Sequence, residues 1–389
     1  MRILFTTIPG SGHFNPMVPL ARAMVSRGHE VTFASSPAWT PRVEAAGFQN
    51  IPCGPSWVES MADPVMQEIL RKDFFAELSR MGMVEDVLRA ARTVEADLVA
   101  FEGAEIGGLL AGAMLDVPTV MVSPAAGKMW REMTRDRIAR AASEHGLDGG
   151  RVASDDFPLA YIDRTPPALE MPGFVPYPNL VNTRPEQYDG GGEVPAWLDD
   201  LTDKPIVYVT LGTVFNGNLP LFQLVISALA AEPYNVVVAT GAGVPASAFG
   251  ELPTNVRLGG YLPQSLVAAR SAAVLCHGGY NTVISAMSAG VPMYAIPMGA
   301  DQPYNAERVA AAGAGLHAAI HDGPPVAGPP PFTPPAPGEV RDAVRRLLED
   351  PSFKAGAERV AAEIAAMPPV VTAVERIEVL VRERAAIGV

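Results

Sequence analysis

The segment from Ala272 to Pro297 constrains the fold most. A short apolar run, Ala272 to Cys276, gives way to His277-Gly278-Gly279, then to a helix opening near Asn281-Thr282. Gly290-Val291-Pro292 ends that helix, and a second apolar run, Met293 to Pro297, follows. Strand, helix and strand in this order read as a βαβ unit, and hence as buried parallel strands under a helical cover. Gly278 and Gly279 let a ligand approach the backbone, while free amides and the positive end of the helix dipole face it, so the loop is suited to an anion such as phosphate. His277 can donate a hydrogen bond to a phosphate oxygen, and Asn281 and Thr282 add neutral donors in the first turn. Asp301-Gln302 follows the second strand and sets a carboxylate beside an amide. That pair suits vicinal hydroxyls, which suggests a sugar joined to the phosphate.

The same alternation runs through most of the chain. Ile3 to Ile8 reads as a strand, Pro16 to Arg27 as a helix, Val31 to Ala34 as a strand and Pro37 to Ala46 as a helix, with buried strands again at Asp97 to Phe101 and Thr119 to Ser123. From Gly149 to about Asp203 the chain is rich in Pro, Gly and Asp, including Gly190-Gly191-Gly192, and reads as a crossing between domains. Pro205 to Leu211 opens a second alternation that continues through Asn235 to Thr240 and Val256 to Gly260. A chain of 389 residues is too long for one ordinary core. The expected class is α/β, with two Rossmann-like, doubly wound parallel-sheet domains facing across a cleft. Residues 1–198 form the first, including a linker over about 180–203, residues 204–370 the second, and residues 371–389 a closing helix. In that helix Val374, Ile377 and Val381 share one face and Arg376 and Glu383 the other. Ligands of such sheets bind beyond the carboxyl ends of the strands, so the loops at 9–13, 212–216, 276–282 and 298–302 should line the cleft. Residues 322–338, dense in Pro and Gly, read as an exposed loop of unassigned role.

Composition excludes several functions. A net charge of −13 without any Lys/Arg run gives nothing to neutralise nucleic-acid phosphates. Two cysteines, Cys53 and Cys276, make no disulfide framework and belong to no zinc-ligand pattern, as expected of a reduced cytoplasm. The chain enters a strand at once, without a signal-peptide pattern, and no apolar run reaches the roughly 18 residues of a membrane helix. A soluble, cytoplasmic protein with no membrane partner is expected. Between Ser56 and Thr93, Met61, Met66, Met81 and Met83 stand beside Trp57, Phe74 and Phe75. They suit a core, and equally an adaptable cleft for a large apolar molecule, with Trp57, Met61, Met66, Phe74 and Phe75 as candidate acceptor contacts.

The chain resembles the inverting GT-B glycosyltransferases of the UDP-glycosyltransferase superfamily, in particular the actinomycete enzymes that decorate polyketides and other natural products. The motifs that carry the resemblance are Gly10-Ser11-Gly12-His13, Leu211-Gly212-Thr213, Tyr261-Leu262-Pro263-Gln264, the His277-Gly278-Gly279 block, and Asp301-Gln302 followed by Asn305-Ala306-Glu307-Arg308-Val309. Their order and spacing are more specific than any one of them. The resemblance implies a nucleotide-sugar donor held by Gly12, Thr213, Tyr261, Leu262, Gln264, His277, Gly278, Gly279, Asn281, Thr282, Asp301 and Gln302. It also implies that the closing helix crosses back onto the first domain.

His13 lies in the Gly-rich turn after the first strand, where it either caps the following helix or serves as a base, its ordinary pKa near about 6.5 suiting proton abstraction at neutral pH. The resemblance implies the second role. Such a base is held in one tautomer by a carboxylate, and Glu102, standing where many family members carry Asp, is the candidate, with Glu105 as competitor. The implied reaction is in-line displacement at the anomeric carbon. His277, Thr213, Asn281, Thr282 and the helix amides would stabilise the departing diphosphate. No Asp-x-Asp pattern is present, so neither metal nor cofactor is expected. Tyr261 stands where the resembled motif stacks an aromatic on the nucleobase, and reads otherwise as a strand-end tyrosine; Gln264 would then meet the base edge or ribose. Many UDP-sugar users carry Glu eight residues after the motif His to bind both ribose hydroxyls. Here that residue is Ser285, which favours a dTDP-sugar over a UDP-sugar. His29, His145, His317 and His321 match no motif.

The expected activity is metal-independent, inverting transfer of a sugar, most simply a dTDP-activated deoxysugar, to a hydroxyl of a hydrophobic macrolide, polyketide or aromatic acceptor; C-glycosylation and a homodimer stay open. The alternatives are a transferase of cell-wall precursors, which would want a basic or apolar docking patch, and a non-catalytic sugar-nucleotide-binding helper, which would have no use for a base at His13.

Overall fold

Near-continuous Val/Ile/Leu runs are what parallel strands covered on both faces require, and here they assemble into two sheets. The computed structural model describes residues 1–70, 77, 83–241, 243–320 and 332–387, with the side chains of residues 70, 127–133 and 387 not described. The first sheet contains β1 (Arg2–Thr6), β2 (Glu30–Ser35), β3 (Gln49–Pro52), β4 (Leu98–Glu102), β5 (Thr119–Val122), β6 (Ala160–Asp163) and β7 (Leu180–Asn182) in the order β3-β2-β1-β4-β5-β6-β7. The second contains β8 (Ile206–Thr210), β9 (Asn235–Ala239), β10 (Val256–Gly259), β11 (Ala273–Cys276), β12 (Met293–Ala295) and β13 (Gly315–His317) in the order β10-β9-β8-β11-β12-β13. Neighbouring strands pair in parallel throughout, for example Phe5 opposite both Phe33 and Ala100, and Val209 opposite Leu275. This is the GT-B arrangement of two doubly wound α/β domains.

In each sheet the strand order reverses beside the first strand to enter, at β1/β4 and at β8/β11. Those switch points leave open crevices at the carboxyl ends of the strands. Residues just beyond the four central strands are therefore aimed at the same space. The packing that holds the strands is apolar on both faces: Leu4 and Phe5 of β1 and Val207 and Val209 of β8 are fully buried.

Two local expectations change. The first strand stops at Thr6 and the helical path begins at Ser11–Phe14, continuing through Asn15–Met17 into Val18–Ser26. His13 therefore sits in a helical turn rather than an open loop. The Pro- and Gly-rich stretch from Gly149 also contributes β6 and β7 to the far side of the first sheet. Strands of four and three residues leave little apolar periodicity to read between turn residues. Most of the 322–338 stretch lies outside the described residues, and its end, from Pro337, opens the helix Pro337–Glu349.

The last helix, Val370–Ile387, packs on the first domain. Ala373, Val374 and Ile377 are fully buried in a cluster with Met17, Leu20 and Met24, Leu380 is buried beside them, and Val381 is only partly covered. Polar contacts border this seam. Arg27 donates to both oxygens of Glu378 at 2.9 and 2.8 Å, and His29 Nε2 lies 3.0 Å from Glu378 Oε1. The Arg27 hydrogen bonds, joined by His29, hold the Glu378 carboxyl down at about 2 against the cost of its partial burial. A carboxylate whose pKa is depressed on folding stabilises above its unfolded value and loses that contribution as pH falls through the folded one. Glu378→Gln is thus expected to cost about 1 kcal/mol at pH 7. In parallel denaturation curves the gap to the unaltered protein should narrow as pH approaches 2.

Candidate active site

The carboxyl ends of β1, β4, β8 and β11 enclose a cavity of about 470 Å³ between the two domains. On the first-domain side, His13 is held between two acids. Glu102, the last residue of fully buried β4, brings Oε1 to 2.9 Å from His13 Nδ1, an ion-pair contact too oblique for a directed hydrogen bond. On the other ring nitrogen, Nε2 donates to Glu59 Oε1 at 3.1 Å. Burial opposes charge on the imidazole, but the two carboxylates outweigh it and hold the His13 pKa well above 6.5. Glu105 does not compete for the ring. Its oxygens accept from the amides of Gly107 at 2.7 Å and Gly108 at 2.9 Å, and burial pushes its carboxyl up to about 7.

Opposite, His277 follows β11 and is wedged between the backbones of Gly212 and Gly279. A Cβ on either glycine would collide with the ring, so these two positions have to be bare. Burial drives the His277 pKa down to about 4, only partly offset by the Thr210 backbone. The ring is therefore neutral in the physiological range and has one N–H to donate and no charge to offer.

The Tyr280–Ser288 helix starts directly after this loop, with its N-terminus toward the cavity. The Tyr280 amide donates to Asp301 Oδ2 at 3.2 Å, and the same oxygen accepts from Asn305 Nδ2 at 2.7 Å. Asp301 Oδ1 takes no part in those bonds. Gln302 uses Oε1 to accept from the amides of Met298 and Gly299 at 2.8 and 3.2 Å, which fixes the turn after β12 and leaves Nε2 to the cleft. Thr213, Gly12 and Leu262 line the cavity as well, Leu262 almost wholly buried.

Other expected donor contacts have partners within the protein. Asn281 Nδ2 donates to the Gly12 carbonyl at 2.7 Å, tying the second domain to the first, while its Oδ1 accepts from Arg164 at 3.4 Å. Thr282 Oγ1 donates to Gln264 Oε1 at 2.8 Å, and Gln264 Nε2 donates to Ser285 Oγ at 3.0 Å. Gly278 turns its amide to Cys276 Sγ at 3.2 Å. Tyr261 is 41% exposed, donates its hydroxyl to the Asp189 carbonyl at 3.2 Å and carries the Arg42 guanidinium 5.7 Å from its ring centroid.

Of the apolar acceptor candidates, Met61 and Met66 line the cavity. Trp57 does not: only 2% exposed, it is packed with Ile8, Met66, Ile69 and Ala104 and belongs to the core. Phe74 and Phe75 lie outside the described residues.

Several wall residues carry no motif. Glu59 is in an irregular stretch without hydrophobic period. Arg164, directly after β6, is 6% exposed, has no hydrogen-bond partner at Nε and lies 5.6 Å over the Tyr280 ring. A charged residue following the buried run Ala160–Asp163 was the signal, masked by the surrounding prolines. Gln187 accepts from Ser285 at 3.0 Å, and Asp189 accepts from the Ser265 amide at 3.1 Å, so the segment between the domains forms part of the wall.

Residues 223–380 match the family model described as erythromycin biosynthesis protein CIII-like, C-terminal domain. The 3-alpha-mycarosylerythronolide B desosaminyl transferase of Saccharopolyspora erythraea is 26% identical over 95% of this chain and 95% of its own. The aklavinone 7-beta-L-rhodosaminyltransferase of Streptomyces galilaeus is 28% identical over 99% of this chain and 97% of its own. The crystal structure of glycosyltransferase VinC in complex with dTDP superposes with a TM-score of 0.78 at 26% identity, covering 98% of this chain and all of that one.

The opposite environments of the two imidazoles predict opposite titrations. In a histidine NMR titration His277 should stay neutral until pH falls to about 4, and His13 should keep its proton above the usual imidazole range. The reverse order would contradict the arrangement of charges described here.

Proposed function

We propose that this chain, a two-domain GT-B glycosyltransferase, transfers a sugar from a dTDP-activated donor, with inversion and without a metal, to a hydroxyl of a hydrophobic polyketide or macrolide acceptor. The observation that carries this reading is His13, with the buried Glu102 carboxylate at Nδ1, in the wall of a cavity whose far side is the His277 loop.

Each step of this transfer has a residue that supports it. The Glu102 carboxylate 2.9 Å from Nδ1 favours a proton on that nitrogen by its charge, so that Nε2 is the nitrogen that accepts the proton of an acceptor hydroxyl. The oxygen attacks the anomeric carbon as the bond to the diphosphate breaks, and the configuration inverts because attack and departure lie on opposite faces. Charge growing on the departing phosphate meets the neutral His277 donor and the positive end of the Tyr280–Ser288 helix. Arg164, buried nearby with an unpartnered Nε, adds a cation to the wall. Asp301 Oδ1 and Gln302 Nε2 are the groups free to receive sugar hydroxyls. Met61 and Met66 give the first-domain wall the soft apolar surface that a large acceptor needs.

The choice of dTDP rests on Ser285 and on the resemblance to VinC, whose structure contains dTDP. Ser285 is 2% exposed, and its hydroxyl is committed to Gln187 and the Asn281 carbonyl. It offers nothing to a ribose 2′-hydroxyl, which a deoxyribose lacks. The desosaminyl and rhodosaminyl relatives favour a deoxysugar.

His13→Asn should lower the transfer rate roughly 10²- to 10⁴-fold while dTDP binding persists. Calorimetry should give tighter binding of dTDP than of UDP, and turnover should be unchanged in EDTA. Full activity in His13→Asn would remove the base from the mechanism, and a preference for UDP would remove the Ser285 contribution.

A further inference from the structure

The acid at Nε2 of His13 stands where the acceptor hydroxyl has to be. The arrangement that puts it there is specific. The Glu59 amide donates to the Pro9 carbonyl at 2.8 Å, and Asp63 receives the amides of Val58 at 3.0 Å and Val65 at 2.8 Å, which shapes the loop around Glu59. Gly10 has an ordinary extended backbone, φ −140° and ψ 143°, so its lack of a side chain is not a conformational need. A Cβ there would fall on Glu59 Oε2, and Glu59 Cβ and Cδ would each be 2.9 Å from it. Gly10 is the space that admits Glu59 to His13.

We propose that Glu59 is a removable stopper on His13, which blocks proton abstraction from water while no acceptor is bound and gives way to the acceptor hydroxyl. This deepens the reading of His13 as the base and rests on it. In the resting cleft Nε2 keeps its proton and donates it to Glu59, so the ring has no lone pair with which to activate a water. As an acceptor enters, the Nε2–H bond breaks and an O–H bond forms on Glu59. Glu59 leaves as the neutral acid, and the Nε2 lone pair becomes free for the acceptor hydroxyl. Transfer returns a proton to Nε2, Glu59 gives its own proton to solvent, and the pair re-forms; the cycle releases one proton for each sugar moved. The consequence is economy of donor: a sugar nucleotide bound alone is protected from hydrolysis.

The other charges facing this ring do not duplicate the stopper. Glu102 holds the opposite nitrogen, and Glu105 lies behind it, bound to backbone amides. Asp301 approaches from the second domain with Oδ2 bound to Tyr280 and Asn305. Arg164 follows β6 and Arg137 lies in the helix Gly127–Glu144, both in the cavity wall, and Glu186 and Asp189 line it from the segment between the domains. Glu59 is the carboxylate at Nε2.

The test compares Glu59→Ala, which deletes the carboxylate, with Gly10→Ala, which displaces it sterically and leaves it in the chain. The readouts are the His13 titration by NMR and the release of dTDP from dTDP-glucose with no acceptor present. Both variants are expected to titrate His13 at lower pH than the unaltered protein and to hydrolyse dTDP-glucose roughly 10-fold faster or more. An unmoved His13 titration in both variants, or a lowered one without faster hydrolysis, would overturn the stopper. The titration needs no catalysis, so it stands apart from the base assignment. That assignment fails separately, if His13→Asn still transfers.

Discussion

Parallel strands all point one way, and a sheet whose order reverses at its first strand has a single place where loops diverge. This directional constraint organises the molecule. β1 and β4 deliver His13 and Glu102 to one side of the cleft, and β8 and β11 deliver Gly212-Thr213 and His277 to the other. The two histidines that face one another stand more than two hundred positions apart in the chain, yet neither depends on a long loop. The Asn281 bond to the Gly12 carbonyl spans the two domains at this point, so the sites on either side are held in register.

Burial then differentiates the two histidines. His13 carries the same side chain as His277, but two carboxylates reverse the effect of desolvation on the first, while the second has only the Thr210 backbone to oppose it. One ring is a place to store and move a proton, the other a neutral donor beside a helix N-terminus. The proposed displacement at an anomeric carbon would use that difference, with the proton handled on one wall and the departing charge met on the other.

The fold was legible because buried parallel strands advertise themselves: β1, β4, β8, β9 and β11 are short apolar runs with Gly or Pro at their ends. The His13–Glu102 pairing was legible from the resemblance together with strand ends, since Glu102 closes β4 and His13 follows β1. What could not be read were side-chain commitments made through space. Nothing at Thr282 or Gln264 announces that they bond each other, and nothing at Asn281 announces a partner 269 residues away. Trp57 was ambiguous because a buried indole and a cleft indole have the same sequence context. Glu59 was invisible for a different reason: it lies in an irregular stretch, and its role depends on an absent side chain at Gly10. β6 and β7 were hidden by prolines that flank strands too short to show a period.

The most direct test of the whole account is a crystal structure of the complex with dTDP, grown without divalent metal. The diphosphate should lie between His277 and the N-terminus of the Tyr280–Ser288 helix, with the thymine toward Tyr261 and His13 across the cleft. A nucleotide bound away from the His277 loop, or with its diphosphate against His13, would contradict the assignment of donor and base to opposite walls.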